Sequence, residues 1–312
     1  MLSDLLALAG GLALLVLAAS VLVRGAAALA LRLGLTPLVV GLTVVAFGTS
    51  APELVVSVQA ALAGAGGIAV GNVVGSNIAN VGLVLALAVL IRPLVADGSL
   101  FRRDLPVLLA VTALAAGLLL DGALGRGEGA ALVVGLAAYL VWSVRAARAE
   151  QAAVELPIAA PTGPAWRDAA FVVAGLAGLV VGADLFVGGA VRLAEAAGVS
   201  NAVIGLTVVA VGTSLPELAT TVVAALRGES EIAVGNVVGS NVFNLLGILG
   251  AGALVRPLVA PGLEPVDLAV MGALTVALVG MLWTGRRLVR WEGAGLLAGY
   301  VGYLVYLVGQ HG

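Results

Sequence analysis

The chain has 312 residues, of which 62% are hydrophobic and 10% charged, and its formal net charge is −2. A soluble domain carries about 25% charged residues, so this composition excludes an ordinary water-soluble fold and defines an integral membrane protein. Cys is absent, the one His is His311, all 15 basic residues are Arg, and no basic run offers a nucleic-acid surface; disulfides, thiolate metal sites and imidazole relays in the core are excluded with them.

Apolar runs of about twenty residues, long enough as helices to cross a hydrocarbon core of roughly 30 Å, recur along the whole chain. Read between charges and turn residues, the first half holds spans at 5–23, 36–63, 68–91, 104–121 and 127–144. The opening MLSDLLALAG lacks the basic start of a secretory signal, and its apolar run has a counterpart at Phe171–Ala190. It therefore reads as a spanning helix. A link at 146–167 follows, with Pro157, Pro161, Pro164 and mixed charge, as a solvent loop requires. The second half holds spans at 169–191, 200–226, 232–255, 266–284 and 291–309. Trp142, Trp166, Trp283, Trp291 and Tyr300 lie near span ends, where an interfacial aromatic belt would place them.

The two halves are copies. Gly41–Val84 and Gly205–Ile248 align without a gap at an offset of 164, with 28 of 44 positions identical. Arg92-Pro93-Leu94-Val95-Ala96 recurs as Arg256-Pro257-Leu258-Val259-Ala260, Glu128 as Glu292, and Tyr139 as Tyr303. Five spans per copy is an odd number, so the second copy must enter the membrane in the opposite sense. With the N-terminus outside, the inner loops hold twelve Arg residues, and the outer side keeps Arg126, Arg192 and Arg256. That is a strong positive-inside bias. The expected fold is thus an all-α integral membrane protein of ten transmembrane helices in two inverted five-helix repeats, 1–145 and 168–312, joined by a cytoplasmic linker at 146–167. Both termini are expected on the extracytoplasmic side of a cell (inner) membrane.

Two motifs carry chemistry, and each occurs twice. Gly48-Thr49-Ser50-Ala51-Pro52-Glu53 lies near the middle of the second span and Gly212–Glu217 near the middle of the seventh. Pro52 has no N–H for the Gly48 carbonyl, so the helix should kink or open there. Backbone freed at membrane depth is tolerated only where it is buried in protein or lines a cavity. Thr49 and Glu53, four residues apart, share a helix face with Ser50 beside them. Hydroxyls, carbonyls and a carboxylate are all oxygen donors, the set preferred by a hard cation such as Ca²⁺. A single copy could be a Pro-kinked helix and nothing more. A carboxylate in a span marks function by default, and its recurrence in two repeats points to one site where they meet.

The second motif, Gly71-Asn72-Val73-Val74-Gly75-Ser76-Asn77, continues to Asn80; its copy, Gly235–Asn241, continues to Asn244. Asn72, Ser76 and Asn80 fall at i, i+4 and i+8 and form one polar stripe, matched by Asn236, Ser240 and Asn244. Gly71 and Gly75 are spaced for close helix packing.

At these residues the chain resembles the calcium/cation antiporter superfamily, whose sodium/calcium exchangers carry two inverted repeats; the match is to a prokaryotic exchanger-like protein and covers essentially the whole sequence. The resemblance implies ion sites between spans 2, 3, 7 and 8, with spans 1 and 6 sliding across this core to alternate access. It implies that Glu53 and Glu217 are central Ca²⁺ ligands, and that Thr49, Ser50, Thr213 and Ser214 add hydroxyl and carbonyl ligands. Ser76 and Ser240 match serines at flanking Na⁺ sites, with the carbonyls of Ala46 and Ala210 contributing, and Asn80 and Asn244 match the remaining polar positions. Some potassium-dependent relatives have Asp where this chain has Asn244, which argues against K⁺ co-transport. The short central link leaves no room for the regulatory domains of animal exchangers.

The function expected is therefore secondary antiport of Ca²⁺ against Na⁺, with these ions and the lipid bilayer as partners. No cofactor, nucleic acid or obligate protein partner is expected. A proton/divalent-cation exchanger is the alternative; a passive cation channel and a non-transporting scaffold are further classes, which counter-ion dependence of flux separates. An enzyme is not expected, since Walker A, HExxH and core His or Cys are all missing. The inverted arrangement predicts that cysteines introduced at Ser3 and at Gln151 label from opposite faces of intact cells with an impermeant reagent. Labelling of both from one face would refute it.

Overall fold

The computed structural model describes residues 2–96, 98–152, 163–196 and 210–311. These are almost wholly helical. α1 spans Leu2–Leu33, beyond the expected end at residue 23. Arg24 is exposed on the helix surface and does not interrupt it; the helix stops at Gly34, whose φ of 60° only glycine adopts freely. α2 (Pro37–Thr49) begins with the Thr36 side chain accepting from Val39 N–H at 3.3 Å, and with Pro37 in the first turn. α3 (Ala51–Leu62) continues it at a 47° bend. α4 covers Gly66–Ile91 and α5 Leu105–Leu118, the latter after a π-helical turn at Leu100–Asp104. α6 is Arg126–Ala152 and α7 Ala165–Ala196. α8 (Ala210–Thr213) and α9 (Leu215–Arg227) follow, then α10 (Ser230–Val255), α11 (Pro265–Gly285) and α12 (Arg290–His311).

Seven described helices are long and apolar enough to cross a membrane alone, and the bent α2–α3 pair makes eight. α9, with 13 residues, falls short of that length, and the helix that runs through the π turn into α5 carries Arg102, Arg103 and Asp104 at its start. The first part of the seventh expected span, 200–209, lies outside the described residues, as do 153–162 of the expected linker.

α10 is the centre of the bundle: its whole apolar window is buried, against 72% for that of α4 and 39% or less for the other single spans. It achieves this through glycine. A Cβ at Gly235 would lie 2.7 Å from the Leu38 carbonyl oxygen, and one at Gly239 would lie 2.4 Å from that of Leu42, so α2 packs backbone to backbone on α10. For the first-half mates, a Cβ at Gly71 or Gly75 would meet nothing within 4 Å among the described residues. The stretch that repeat symmetry would set beside them, 201–209, is not among these.

α1 and α7 run antiparallel along each other. Gly189 meets Asp4 and Leu8, Gly182 meets Gly11 and Leu15, Gly175 meets Leu22, and Gly25 meets Asp168 and Val172. An ion pair closes each end: Arg32 with Asp168, and Arg192 with Asp4 at 2.7 Å. Two short antiparallel ribbons tie the halves together. β1 (Leu94–Val95) pairs with β4 (Arg287–Leu288), and β2 (Ala123–Leu124) with β3 (Leu258–Val259). Gly66, at the start of α4, packs on Val259 of β3, whereas α4 leads directly into β1 from its other end. The ribbons therefore sit at opposite ends of α4.

The repeated Arg-Pro-Leu-Val-Ala segments acquire a role here. Arg92 donates to the carbonyls of Leu226 at 3.0 Å and Ala225 at 3.4 Å, the last turn of α9. Its mate Arg256 donates to Leu62 of α3 at 3.5 Å. Each arginine thus caps the negative C-terminal end of the broken helix in the other half. The four Trp are exposed as expected, but Tyr300 is buried with its Cβ against Gly82 and belongs to the core, not to an interfacial belt.

The α2–α10 contact makes a direct prediction. Gly239→Ala should lower stability by about 1–3 kcal/mol, because the obstructing atoms are backbone and cannot rotate away. Gly272→Ala on α11, where an added Cβ meets nothing within 4 Å, should be neutral or slightly stabilising. Thermal unfolding in detergent compares them; equal losses would contradict the close approach.

Candidate functional site

The site is built at two helix breaks. Ser50 (φ −82°, ψ 9°) separates α2 from α3, and Ser214 (φ −87°, ψ 6°) separates α8 from α9. In each case proline lies two residues on, unable to donate backward, so the chain restarts as a new helix. Glu53 and Glu217 consequently sit in first turns, where unpaired N–H groups and the helix dipole favour a carboxylate. Both are 1% exposed.

The two breaks face each other across the repeats. Ser50 Oγ donates to Glu217 Oε1 at 2.9 Å. Thr49 Oγ1 lies 3.1 Å from Asn236 Oδ1, to which it donates, and 3.3 Å from the Ala46 carbonyl. That carbonyl also accepts from Ser50 N–H at 3.0 Å, so Ala46 is engaged within its own helix end. Thr213 is half-buried and engaged, and Ala210, the mate of Ala46, begins α8.

The polar stripes of α4 and α10 divide into two kinds of residue. The first asparagine of each is a strut. Asn72 Nδ2 donates to the Glu53 carbonyl at 3.2 Å and to Ser57 Oγ at 2.9 Å, while Asn236 Nδ2 donates to Thr221 Oγ1 at 3.0 Å. These bonds hold the glutamate-bearing helices α3 and α9 against α4 and α10. The last asparagine of each stripe opens a π-helical turn, Asn80–Leu85 in α4 and Asn244–Ile248 in α10. Such turns widen the helix and free a backbone group, and they recur at functional sites. Asn80 Nδ2 donates to Asn241 Oδ1 at 3.0 Å. Ser76 and Ser240 are buried between strut and π turn.

Many of these oxygens have no hydrogen-bond partner among the described residues: Glu53 Oε2, Glu217 Oε2, Ser214 Oγ, Ser240 Oγ, Asn77 Oδ1, Asn80 Oδ1 and Asn244 Oδ1. Buried polar atoms in a folded protein are almost always paired. A concentration of unpaired oxygens beside two buried carboxylates fits a hard cation, which takes six to eight such donors. No group of three or more His, Cys, Asp or Glu able to hold a metal occurs among the described residues, so any cation here meets two carboxylates and otherwise neutral oxygens.

Residue reasoning missed four members of this network. Ser57 and Thr221 are mates of different residue type, invisible to an identity count; the available signal was a hydroxyl one turn beyond each glutamate. Asn77 and Asn241 lie off the i, i+4, i+8 stripe, yet their recurrence in both copies marked them.

A bundle of apolar helices whose two broken members turn carboxylates toward each other among neutral oxygens is a membrane transporter of cations. The model of the sodium/calcium exchanger protein family matches residues 3–145 and 168–309, and the chain belongs to that family. It is 40% identical over 305 residues to the putative antiporter CaxA of Alkalimonas amylolytica, covering 94% of this chain and 95% of that protein. It is 34% identical over 299 residues to the sodium/calcium exchanger MaX1 of Methanosarcina acetivorans, covering 82% and 84%. The solved structure of the sodium-calcium exchanger NCX_Mj in zero Na⁺ and Ca²⁺ superposes with a TM-score of 0.87 at 34% identity, covering 98% of this chain and 99% of that one. The chain is thus a multi-pass membrane protein of a cation antiporter family, a family of transporters and not of enzymes.

The geometry predicts that Glu217→Gln abolishes divalent-cation transport, by at least about 100-fold, with folding retained. The amide keeps the bond from Ser50 but removes one of two balancing charges, and a neutral side chain is cheaper to bury than a carboxylate. Size-exclusion profile and flux are the paired measurements; wild-type flux from the folded variant would contradict this role.

Proposed function

We propose that the protein exchanges Ca²⁺ for Na⁺ by alternating access to the site between α2, α3, α4, α8, α9 and α10. The observation that carries this reading is the contact of Ser50 with Glu217 across the repeats beside a second buried carboxylate, Glu53. Two carboxylates balance one divalent ion. Glu53 and Glu217 hold Ca²⁺ with oxygens of Thr49, Ser50, Thr213 and Ser214. Ser76 and Ser240, with the carbonyls of Ala46 and Ala210, serve flanking Na⁺ positions, and Asn80 and Asn244 complete the polar wall. For Ala46 this requires its carbonyl to give up bonds it now makes to Thr49 and Ser50.

The architecture proposed is ten membrane crossings in two inverted repeats, 1–145 and 168–312, with the linker 146–167 in the cytoplasm and both termini outside an inner membrane. The antiparallel packing of repeat-related α1 and α7 and the placement of the two ribbons at opposite ends of α4 support the inversion. Na⁺ is favoured over H⁺ as driving ion because the neutral hydroxyl, amide and carbonyl oxygens around the glutamates do not titrate near neutral pH. Similarity to named sodium/calcium exchangers supports the same choice.

Ca²⁺ uptake into proteoliposomes should follow an imposed Na⁺ gradient with the pH gradient collapsed. Since Asn244 supplies no third carboxylate, uptake should be unchanged when K⁺ replaces choline at fixed membrane potential. Uptake that ignored Na⁺ and followed a pH gradient would replace this reading with proton exchange.

A further inference from the structure

The two halves match in sequence through the motifs, but their hydrogen bonds do not match. Asn80 and Asn244 are mates, as are Asn77 and Asn241. The bond Asn80 Nδ2 to Asn241 Oδ1 is made at 3.0 Å. Its symmetry mate would be Asn244 Nδ2 to Asn77 Oδ1, and both of those buried atoms lack a partner among the described residues. The two inner asparagines differ accordingly. Asn241 reaches across, accepting from Asn80 and donating to the Asn77 carbonyl at 3.4 Å. Asn77 is folded back on its own helix, donating to the Val73 carbonyl at 2.7 Å. The same one-sidedness recurs at the breaks. Ser50 bonds Glu217 at 2.9 Å, while the mate hydroxyl, Ser214 Oγ, has no partner among the described residues.

Identical chemistry in both halves, with the bond made in one and open in the other, marks an element with two equivalent arrangements. A half-satisfied buried amide pair is costly, and if the open bond forms as the made one breaks, that cost passes from one half to the other with no net change. In a transporter built from inverted repeats, the two access states are related by exchange of the halves' conformations. We infer that Asn77 and Asn241 are alternating positioning residues: Asn241 holds the site asparagine Asn80 in the access state described here, and Asn77 holds Asn244 in the opposite one. The inference deepens the exchanger reading and rests on it. Because Asn80 and Asn244 each open a π turn, holding one amide fixes the widened backbone of that half while the other is left free.

The test exploits the sign of the effect. In a two-state exchanger the apparent affinity at each face falls as the population of the state serving that face falls. Asn241→Ala removes the bonds across the repeats in the described state, and Asn77→Ala removes the corresponding bond of the opposite state, its own-helix bond to Val73 being lost as well. The ratio of KM for Ca²⁺ at the two faces, measured as Na⁺-dependent flux in right-side-out and inside-out vesicles, should move in opposite directions in the two variants. The expected shift is about three- to tenfold, the effect of one neutral hydrogen bond within a membrane protein. The double variant should return the ratio close to wild type. Asn77→Ser and Asn241→Ser should give the same signs at smaller size if the alanine proteins fail to fold. Shifts of the same sign, or an unchanged ratio, would overturn the inference and leave the exchanger reading standing. Wild-type vesicles without Na⁺-dependent Ca²⁺ flux would instead remove the exchanger reading, and the inference with it.

Discussion

Two carboxylates buried in an apolar helix bundle are the constraint on which the rest of this structure depends. An isolated buried carboxylate is strongly disfavoured, and two that sense each other's charge are worse. Glu217 has Ser50 as a side-chain partner, and among the described residues no arginine is paired with either glutamate. On the proposed reading the transported cation supplies the balancing charge, and the surrounding architecture would receive it. The proline breaks place each glutamate at a helix start, the Asn72 and Asn236 struts hold those helices to α4 and α10, and the π turns at Asn80 and Asn244 open the facing helices.

What holds the halves together is equally specific. The broken helices α3 and α9 are short and are capped by Arg256 and Arg92 from the other half, so neither repeat completes its own glutamate-bearing helix. The ribbons tie loops of one half to loops of the other in the same crossed manner. The α1–α7 pair is different in kind. It joins its two helices along their length through glycines and closes both ends with Arg–Asp pairs, which suits two helices that move as one body. The core around α10 instead packs backbone on backbone against α2 and has few ways to deform.

Much of this was legible in the residues alone. A twenty-residue apolar run is long enough to span whatever its context, and a doublet of Gly-Thr-Ser-x-Pro-Glu needs no structure to be seen as one site in two parts. Helix ends were read less well. Arg24 looked like a boundary, yet a single charge costs a helix little when its head stays on the surface. Tyr300 looked interfacial because an aromatic near a span end is ambiguous until its neighbour, here Gly82, is known. The strut role of Asn72 and the difference between Asn77 and Asn241 lay beyond the sequence for a simple reason. Symmetric residues predict symmetric bonds, and only coordinates reveal which of two equivalent bonds is made.

The claim at the centre of this account is that one divalent cation sits between Glu53 and Glu217. Crystals of the protein soaked in Sr²⁺ at low Na⁺ would locate it by anomalous scattering. The account predicts a single strong peak within direct ligand distance of both carboxylates, at about 2.3–2.6 Å, the range of a Ca²⁺-like ion, and its loss when Na⁺ is raised. A peak bound elsewhere with no density between the two glutamates, or one that Na⁺ does not displace, would contradict it.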